Sequence, residues 1–267
     1  MSLIDDKLAI IVNQSEMKYL LALMGGKSLV GINPALLPGK FSPSGRTSLI
    51  SRNLVKPGQQ GGNDLIEGGL LRTIIPLMFP ERALIVIRTI PNTGMQSLVF
   101  LNRDQTTVLH TMPKENTHRL IVLESPKEGI HALTEWFPLQ NYPGSTVNMV
   151  IPSKSLDQFR TYAEKGLDEL ALQAIKAAKV PVAEKRLFLQ TFKNITITGS
   201  FALSTIVGNE LTSAESLAVI ANQTTAWAVT SPVDNSKPDT LRIRRTGADL
   251  PVIFKNMFDW LTGNPAR

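Results

Sequence analysis

The sequence predicts an α+β fold, in which helices pack against antiparallel strands. Segments with helical spacing of apolar residues alternate with groups of short β-rich runs. The β-rich runs are joined by turns far too short for the crossovers that parallel strands need. The same order of elements also occurs twice. With 267 residues and 43% hydrophobic content, we expect residues 1–267 to form one compact domain.

The first elements are two helices separated by a long connection. Apolar spacing predicts a helix over 15–24, which ends at Gly25. Residues 25–63 are rich in Pro, Gly and Ser and predict a loop with one short element. Asp64 is placed to cap a second helix over 64–79.

Strands and further helices follow in a regular order. β-branched and large apolar residues predict four strands and a closing helix over 83–90, 97–102, 106–111, 119–124 and 127–137. After residues 138–152, amphipathic patterns predict helices over 155–165, 167–179 and from Pro181 to Phe192.

The second half of the chain then repeats the first. Ser97–Leu101 with a following Gln-Thr-Thr matches Ser216–Ile220 with the same triplet. The helix ending at Trp136 matches one ending at Trp260. We therefore predict two pseudo-symmetric repeats of helix, antiparallel strands and helix, with additional helices between them. The first half covers 1–138 and the second covers 153–267.

Composition narrows the class of protein. The chain has no cysteine, which excludes disulfides and thiolate chemistry. Asp5 and Asp6 stand where an export signal would be basic, and no apolar run approaches the roughly 18 residues that cross a bilayer. We expect a cytoplasmic protein without membrane contact. The net charge of +6 is scattered, so a nucleic-acid partner is not expected.

No segment predicts a catalytic, cofactor or metal site. Gly25-Gly26-Lys27-Ser28 resembles the end of a phosphate-binding loop, but Leu21 stands where that motif needs glycine. A nucleophile elbow is absent. The histidines lack the spacing of metal ligands; they are His110, His118 and His131.

Two arginines are candidates for binding a partner. Arg242 and Arg244 alternate along a predicted strand and so lie on one face. Their counterparts in the first half, Ile121 and Leu123, are apolar. The charged face is either a solvated edge that resists aggregation, a site for an acidic protein surface, or a site for phosphate or nucleic acid.

Two tryptophans are candidates as well. Trp136 and Trp260 fall at the border of the apolar stripe on the two closing helices. A tryptophan at such a border either caps the core or presents an apolar anchor to a partner.

The layout resembles the EspG family of proteins associated with type VII secretion. The resemblance lies in an N-terminal helix followed by a Leu36-Leu37-Pro38 step, a long Pro/Gly/Ser loop, a strand set with a Gly-interrupted hairpin, and the same plan repeated. It implies a cytosolic chaperone that holds helical PE/PPE-type substrates and shields an apolar tip before export. It also implies a quasi-twofold arrangement with a central antiparallel sheet and helical bundles. No binding residue follows from it.

The leading hypothesis is therefore a non-enzymatic cytoplasmic chaperone or adaptor that binds a protein. The alternative is a small-molecule-binding enzyme with its site between the two halves, which a deep pocket with converging polar groups would favour. A nucleic-acid binder is a third possibility, which a steep salt dependence of binding would reveal.

Overall fold

The computed structural model describes residues 8–26, 29–30, 42–59, 62–207, 210–231 and 239–263. The helices in these ranges are α1 (Gln14–Met24), α2 (Pro43–Ser51), α3 (Gly68–Met78), α4 (Pro126–Trp136), α5 (Ser153–Glu164), α6 (Asp168–Ala174), α7 (Val182–Lys193) and α8 (Leu250–Leu261). The strands are β1 (Ile10–Asn13), β2 (Val55–Lys56), β3 (Leu65–Ile66), β4 (Arg82–Ile90), β5 (Gly94–Arg103), β6 (Thr106–Lys114), β7 (Thr117–Leu123), β8 (Asn148–Pro152), β9 (Ile197–Val207), β10 (Glu210–Ala221), β11 (Ala226–Thr230) and β12 (Thr240–Thr246).

One ten-stranded sheet runs through the whole molecule, in the order β1-β7-β6-β5-β4-β9-β10-β11-β12-β8. Every neighbouring pair in it is antiparallel. The halves join where β4 pairs with β9, with Val86 opposite Phe201. The predicted α+β class is confirmed, and the two groups of strands form a single continuous sheet.

Helices cover the two faces of this sheet differently. On one face, α4 and α8 pack across the middle over a core that includes Phe100, Phe201 and Phe254. On the other face, α1 to α3 cover the first half around Leu20 and Ile74. Helices α5 to α7 cover the second half of that same face. The layers are therefore helix, sheet and two separate helical groups.

Helices α4 and α8 approach each other closely because α4 carries a glycine at the contact. A Cβ added at Gly129 would lie 2.1 Å from Cζ of Phe258. Phe258 is fully buried and meets Phe100 edge to face, with the ring centroids 5.0 Å apart. Gly129 thus makes room for the aromatic centre of this core.

Two carboxylates hold the N-terminal helices together. Glu16 forms a capping box with Asn13 and also accepts hydrogen bonds from Ser48 and Arg52 of the α2 segment. Asp64 accepts two hydrogen bonds from Arg46, at 2.6 and 2.9 Å, and one from the Tyr19 hydroxyl. The Arg46 guanidinium and these hydrogen bonds hold the pKa of Asp64 well below its usual range.

The order of strands in the sheet is symmetric about the β4–β9 junction. The first half contains α3, four consecutive strands and α4, and the second contains α7, four consecutive strands and α8. Each edge strand, β1 or β8, leads directly into a helix. A shared element order does not by itself establish that the halves superpose, so the predicted duplication stays a prediction.

Several features differ from the sequence predictions. The second helix, α3, begins at Gly68 and is capped by Glu67, whereas Asp64, predicted to cap it, binds Arg46 and Tyr19 instead. Within the predicted loop 25–63, Ser42 caps a real helix, α2, which Pro43 begins. The helix predicted over 167–179 ends at Ala174, because turns then lead to Pro181 and α7. The edge strands β1 and β8 were not predicted. The Leu36-Leu37-Pro38 step lies outside the described residues.

Candidate protein-binding surfaces

A strip of the sheet lies open between the two helical groups, and we name it the central groove. Helix α3 packs on β5, β6 and β7, and α7 packs on β10, so the strip follows β4 and β9. Its floor consists of three rows of directly paired residues across β5, β4, β9 and β10. The rows are Met95-Thr89-Thr198-Ile220, Ser97-Ile87-Ser200-Ala218 and Val99-Ile85-Ala202-Ser216.

The groove floor is partly exposed and carries no charge, although Val99, at the end of the third row, is buried beneath the first helical group. Thr89, Ser97, Ser200 and Ser216 are exposed, and Met95 is 73% exposed. All twelve floor residues are apolar or hydroxyl-bearing, whereas charged residues make up 19% of the chain. A surface of this composition favours an apolar protein segment over a charged ligand.

The sequence of β9 explains this character. Along β9, residues that face the core alternate with residues on the groove face. The core-facing residues include Ile197, Phe201 and Leu203. The groove face carries Thr198, Ser200, Ala202 and Ser204. Successive side chains of a strand point to opposite faces, so one face of β9 builds the core and the other, from residue 198 to residue 204, presents only small groups. Small side chains let a partner's backbone come close to the sheet.

The floor has the size of a helix-binding surface. Three same-face rows span about 14 Å along the strands, and four strands span about 14 Å across them. An α-helix with its side chains is about 10–12 Å wide. These dimensions match those of one helix, or of the tip of a helical pair.

Trp136 lies on the opposite face, at the C-terminal end of α4. It is half-buried and packs against the core under α4 and α8. The guanidinium of Arg88 lies over its indole ring, 4.4 Å from the centroid, and donates a 2.8 Å hydrogen bond to its carbonyl oxygen. Burial lowers the pKa of Arg88. This arginine was not predicted from the sequence.

Trp260, at the end of α8, has the same kind of neighbour. The guanidinium of Arg82 lies 5.3 Å from its ring centroid and donates to its carbonyl oxygen. Arg82 and Arg88 stand at the two ends of β4 and point to the same face. Both tryptophans are thus held by a cation from their own chain, in cation–π geometry. Their role as anchors for a partner remains a prediction.

Arg242 and Arg244 lie on the face of α4 and α8, near the second edge of the sheet. Arg242 is exposed and stands opposite Val150 of the edge strand, which is 51% exposed. Arg244 is half-buried and pairs with Asp249 at 2.8 Å. Their counterparts Ile121 and Leu123 are buried under α4.

The four predicted residues therefore share one face but do not converge on one site. Trp136 and Trp260 lie at opposite ends of β4. Strand β12, with both arginines, is four strands away, or about 19 Å at the usual strand spacing. The central groove is on the other face. Sequence reasoning missed it, although the small residues alternating along β9 are a signal for it.

The described ranges hold neither a cluster of metal ligands nor a membrane-spanning helix. In these residues, no three His, Asp or Glu side chains converge on a position that could hold a metal ion. Across the same part of the chain, no helix has the length and apolarity that crossing a bilayer requires.

Comparison with solved structures identifies a similar fold. The chaperone EspG5 of the Mycobacterium tuberculosis type VII secretion system, in a structure of its complex with the PE25–PPE41 dimer, aligns with a TM-score of 0.69. The alignment covers 94% of this chain and 96% of that chain, at 12% sequence identity. No protein-family model and no curated protein matches the sequence. The chain therefore has an EspG-like fold, as the sequence resemblance implied.

Proposed function

We propose that this protein is a cytoplasmic, non-enzymatic chaperone that binds a helical PE/PPE-type secretion substrate in its central groove. The observation that carries the proposal is the uncharged, exposed sheet strip between two helical groups, in a fold shared with a secretion chaperone. The similar chain was solved bound to a PE–PPE dimer, which supports a partner of that type.

The chemistry of the groove supports binding without catalysis. Its floor offers hydroxyl and aliphatic groups, and none of its twelve side chains titrates near neutral pH. Burying an apolar helix face on it gains about 25 cal/mol per Å² of apolar area. The serine and threonine hydroxyls can hydrogen-bond polar groups at the margin of that helix.

A groove substitution tests the proposal. The chain is co-expressed with PE–PPE pairs encoded near its own gene, and the complex is followed by size exclusion and calorimetry. Ser200→Arg places a large cation in the middle of the floor, next to Ile87. We expect affinity to fall by about tenfold or more, because a buried unpaired charge is costly. Ser51→Arg, on the exposed side of α2, is the matched control and should bind normally.

The outcomes separate the competing functions. A stoichiometric complex that Ser200→Arg weakens and Ser51→Arg does not supports the chaperone. Turnover of a small molecule by the isolated protein, with no complex for any neighbouring pair, would support the enzyme and sink this proposal.

The face of α4 and α8 is the second candidate binding surface. If Arg242 and the tryptophans bind the partner, Arg242→Glu and Trp136→Ala should weaken the complex by about 1–4 kcal/mol. Under the groove proposal, Arg242→Glu leaves the affinity within about twofold, since its side chain lies on the opposite face.

A further inference from the structure

Two of the three histidines in the chain form a buried pair beneath the first helical group. His110 of β6 and His118 of β7 are 2% and 1% exposed. Their rings stack with centroids 5.2 Å apart, and Nε2 of His110 lies 3.0 Å from Nδ1 of His118. One shared proton satisfies this contact. Nδ1 of His110 has no hydrogen-bond partner among the described protein atoms.

The pair is built to stay neutral. A second proton would place two N–H groups head to head at 3.0 Å, or leave an N–H on the buried Nδ1 with no acceptor. Burial, with a smaller effect from His118, lowers the pKa of His110 to about 3, and burial lowers the pKa of His118.

Nearby charged groups do not stabilise the protonated form of the pair. Glu16 of α1 is already bound by Arg52 and Ser48. The other charged side chains on the helices and strands packed against the pair are all cationic: Lys18 of α1, Arg72 of α3, Arg103 of β5, Lys114 of β6 and Arg119 of β7.

The pair is coupled by position to the central groove. His110 stands directly opposite Val99 of β5, the buried end of the third row of the groove floor. His118 stands opposite Val12 of the edge strand β1, which leads into α1. Helix α3, which borders the groove, packs on the strands that carry both histidines.

We propose that the His110–His118 pair is a proton-sensitive latch: acid protonates it, loosens α1 to α3 from β5 to β7, and so weakens the hold of the central groove on its partner. The release step rests on the proposed function. The loosening itself does not, and it is measurable on the protein alone.

Proton linkage determines whether acid stabilises or destabilises the folded state of this region. The unfolded histidines titrate near pH 6.5, and the folded pair binds protons only at lower pH. The pair's contribution to stability is therefore complete above about pH 6.5 and is lost as the pH falls. For each histidine that stays neutral in the folded state, the equilibrium constant for local opening rises roughly thirtyfold when the pH falls from 7.5 to 5.0.

Hydrogen exchange on the whole chain tests the latch. Protection factors, corrected for intrinsic rates, are compared at pH 7.5 and 5.0. We expect those of α1, α3 and β7 to fall by about thirtyfold or more relative to β10–β12 amides, which lie in a half of the chain without histidine. Equal changes in both halves would overturn the proposal, and this result needs no variant.

Substitutions assign the effect to the pair. His110→Leu with His118→Leu should abolish the acid-induced difference, because neither site then titrates. If that double variant does not fold, His118→Gln should reduce the difference by the share of one histidine. His131→Gln is the control, since His131 is exposed on α4 and pairs with Glu135 at 3.4 Å. Loss of the acid effect in His131→Gln would overturn the assignment.

Partner affinity, measured for the PE–PPE dimer at both pH values, tests the release step. We expect weaker binding at pH 5.0 for the wild type and unchanged binding for the double variant. Loosening with pH-independent affinity would refute the release step. No binding at pH 7.5 would refute the proposed function and the release step, while the exchange data would still decide the latch.

Discussion

At the scale of single residues, a glycine on α4 decides how the two central helices pack. In most helix interiors, replacing glycine by alanine stabilises by up to about 1 kcal/mol. At Gly129 the new methyl group would lie 2.1 Å from the buried Phe258 ring, which has no room to move. Overpacking costs about 1–3 kcal/mol, so we expect Gly129→Ala to destabilise the fold in denaturant titrations.

Gly68 of α3 provides the matched comparison. A Cβ added there meets nothing within 4 Å. Gly68→Ala should therefore be neutral or stabilising by up to about 1 kcal/mol. Equal destabilisation by both substitutions would show that the α4–α8 contact is not the cause.

Little of this residue-level detail was predictable from the sequence. The apolar stripe on the closing helices placed Trp136 and Trp260 at the margin of the core, which agrees with their half-buried state. Their arginine neighbours could not be inferred, because Arg82 lies far from Trp260 in the chain and is brought to it only by the tertiary fold.

At the scale of elements, β4 anchors both closing helices through its terminal arginines. Arg88→Met keeps most of the aliphatic stem but removes the hydrogen bond to the Trp136 carbonyl and the cation over its ring. A hydrogen bond from a charged donor contributes about 1.5–3 kcal/mol and the cation–π contact about 0.5–1 kcal/mol. Because one guanidinium makes both contacts, the two contributions do not add in full, and we expect a loss of about 1–3 kcal/mol in the free energy of unfolding.

Arg160→Met is the control for this change. Arg160 forms an exposed ion pair with Glu164 one turn away on α5. Such pairs contribute about 0.3–0.5 kcal/mol, so its removal should be hardly measurable. If Arg88→Met costs no more than Arg160→Met, β4 does not anchor α4 in the way described.

Elements with strong periodicity were predictable, and those formed by tertiary pairing were not. Strands β4 to β7 and β9 to β12 were predictable because their sequences alternate apolar and polar residues and are rich in β-branched residues. The edge strands β1 and β8 are too short for that, and their extended state depends on pairing with β7 and β12. Helix α2 has few apolar residues, and its position depends on Gly45 packing against the backbone of Ser15.

At the scale of the whole molecule, the predicted duplication implies that the backbones of the two halves superpose. The order of elements agrees between the halves, so we expect residues 83–137 to superpose on 195–261 with at least three strands and the closing helix aligned. Superposition of the two backbones measures this directly. Strands that align only in a different order would mean that the halves converged on one sheet without duplication.

The sequence predicted only the class of the candidate site, a protein-binding surface, and not its position. Composition and the absence of catalytic motifs favoured protein binding, and the family resemblance supplied the kind of partner. The groove could not be located, because its openness depends on which parts of the sheet the helices leave uncovered. That is a property of the assembled layers and not of any one segment.

Site-specific photo-cross-linking tests the central claim most directly, because it reports which face of the sheet touches the partner. A photoreactive residue is placed at Ser200 in the central groove or at Arg242 on the opposite face, and each protein is irradiated with the PE–PPE dimer. Both side chains are exposed, so both sites tolerate the substitution. We expect a covalent product from position 200 and none from position 242. Cross-linking from position 242 alone would contradict the groove as the binding surface.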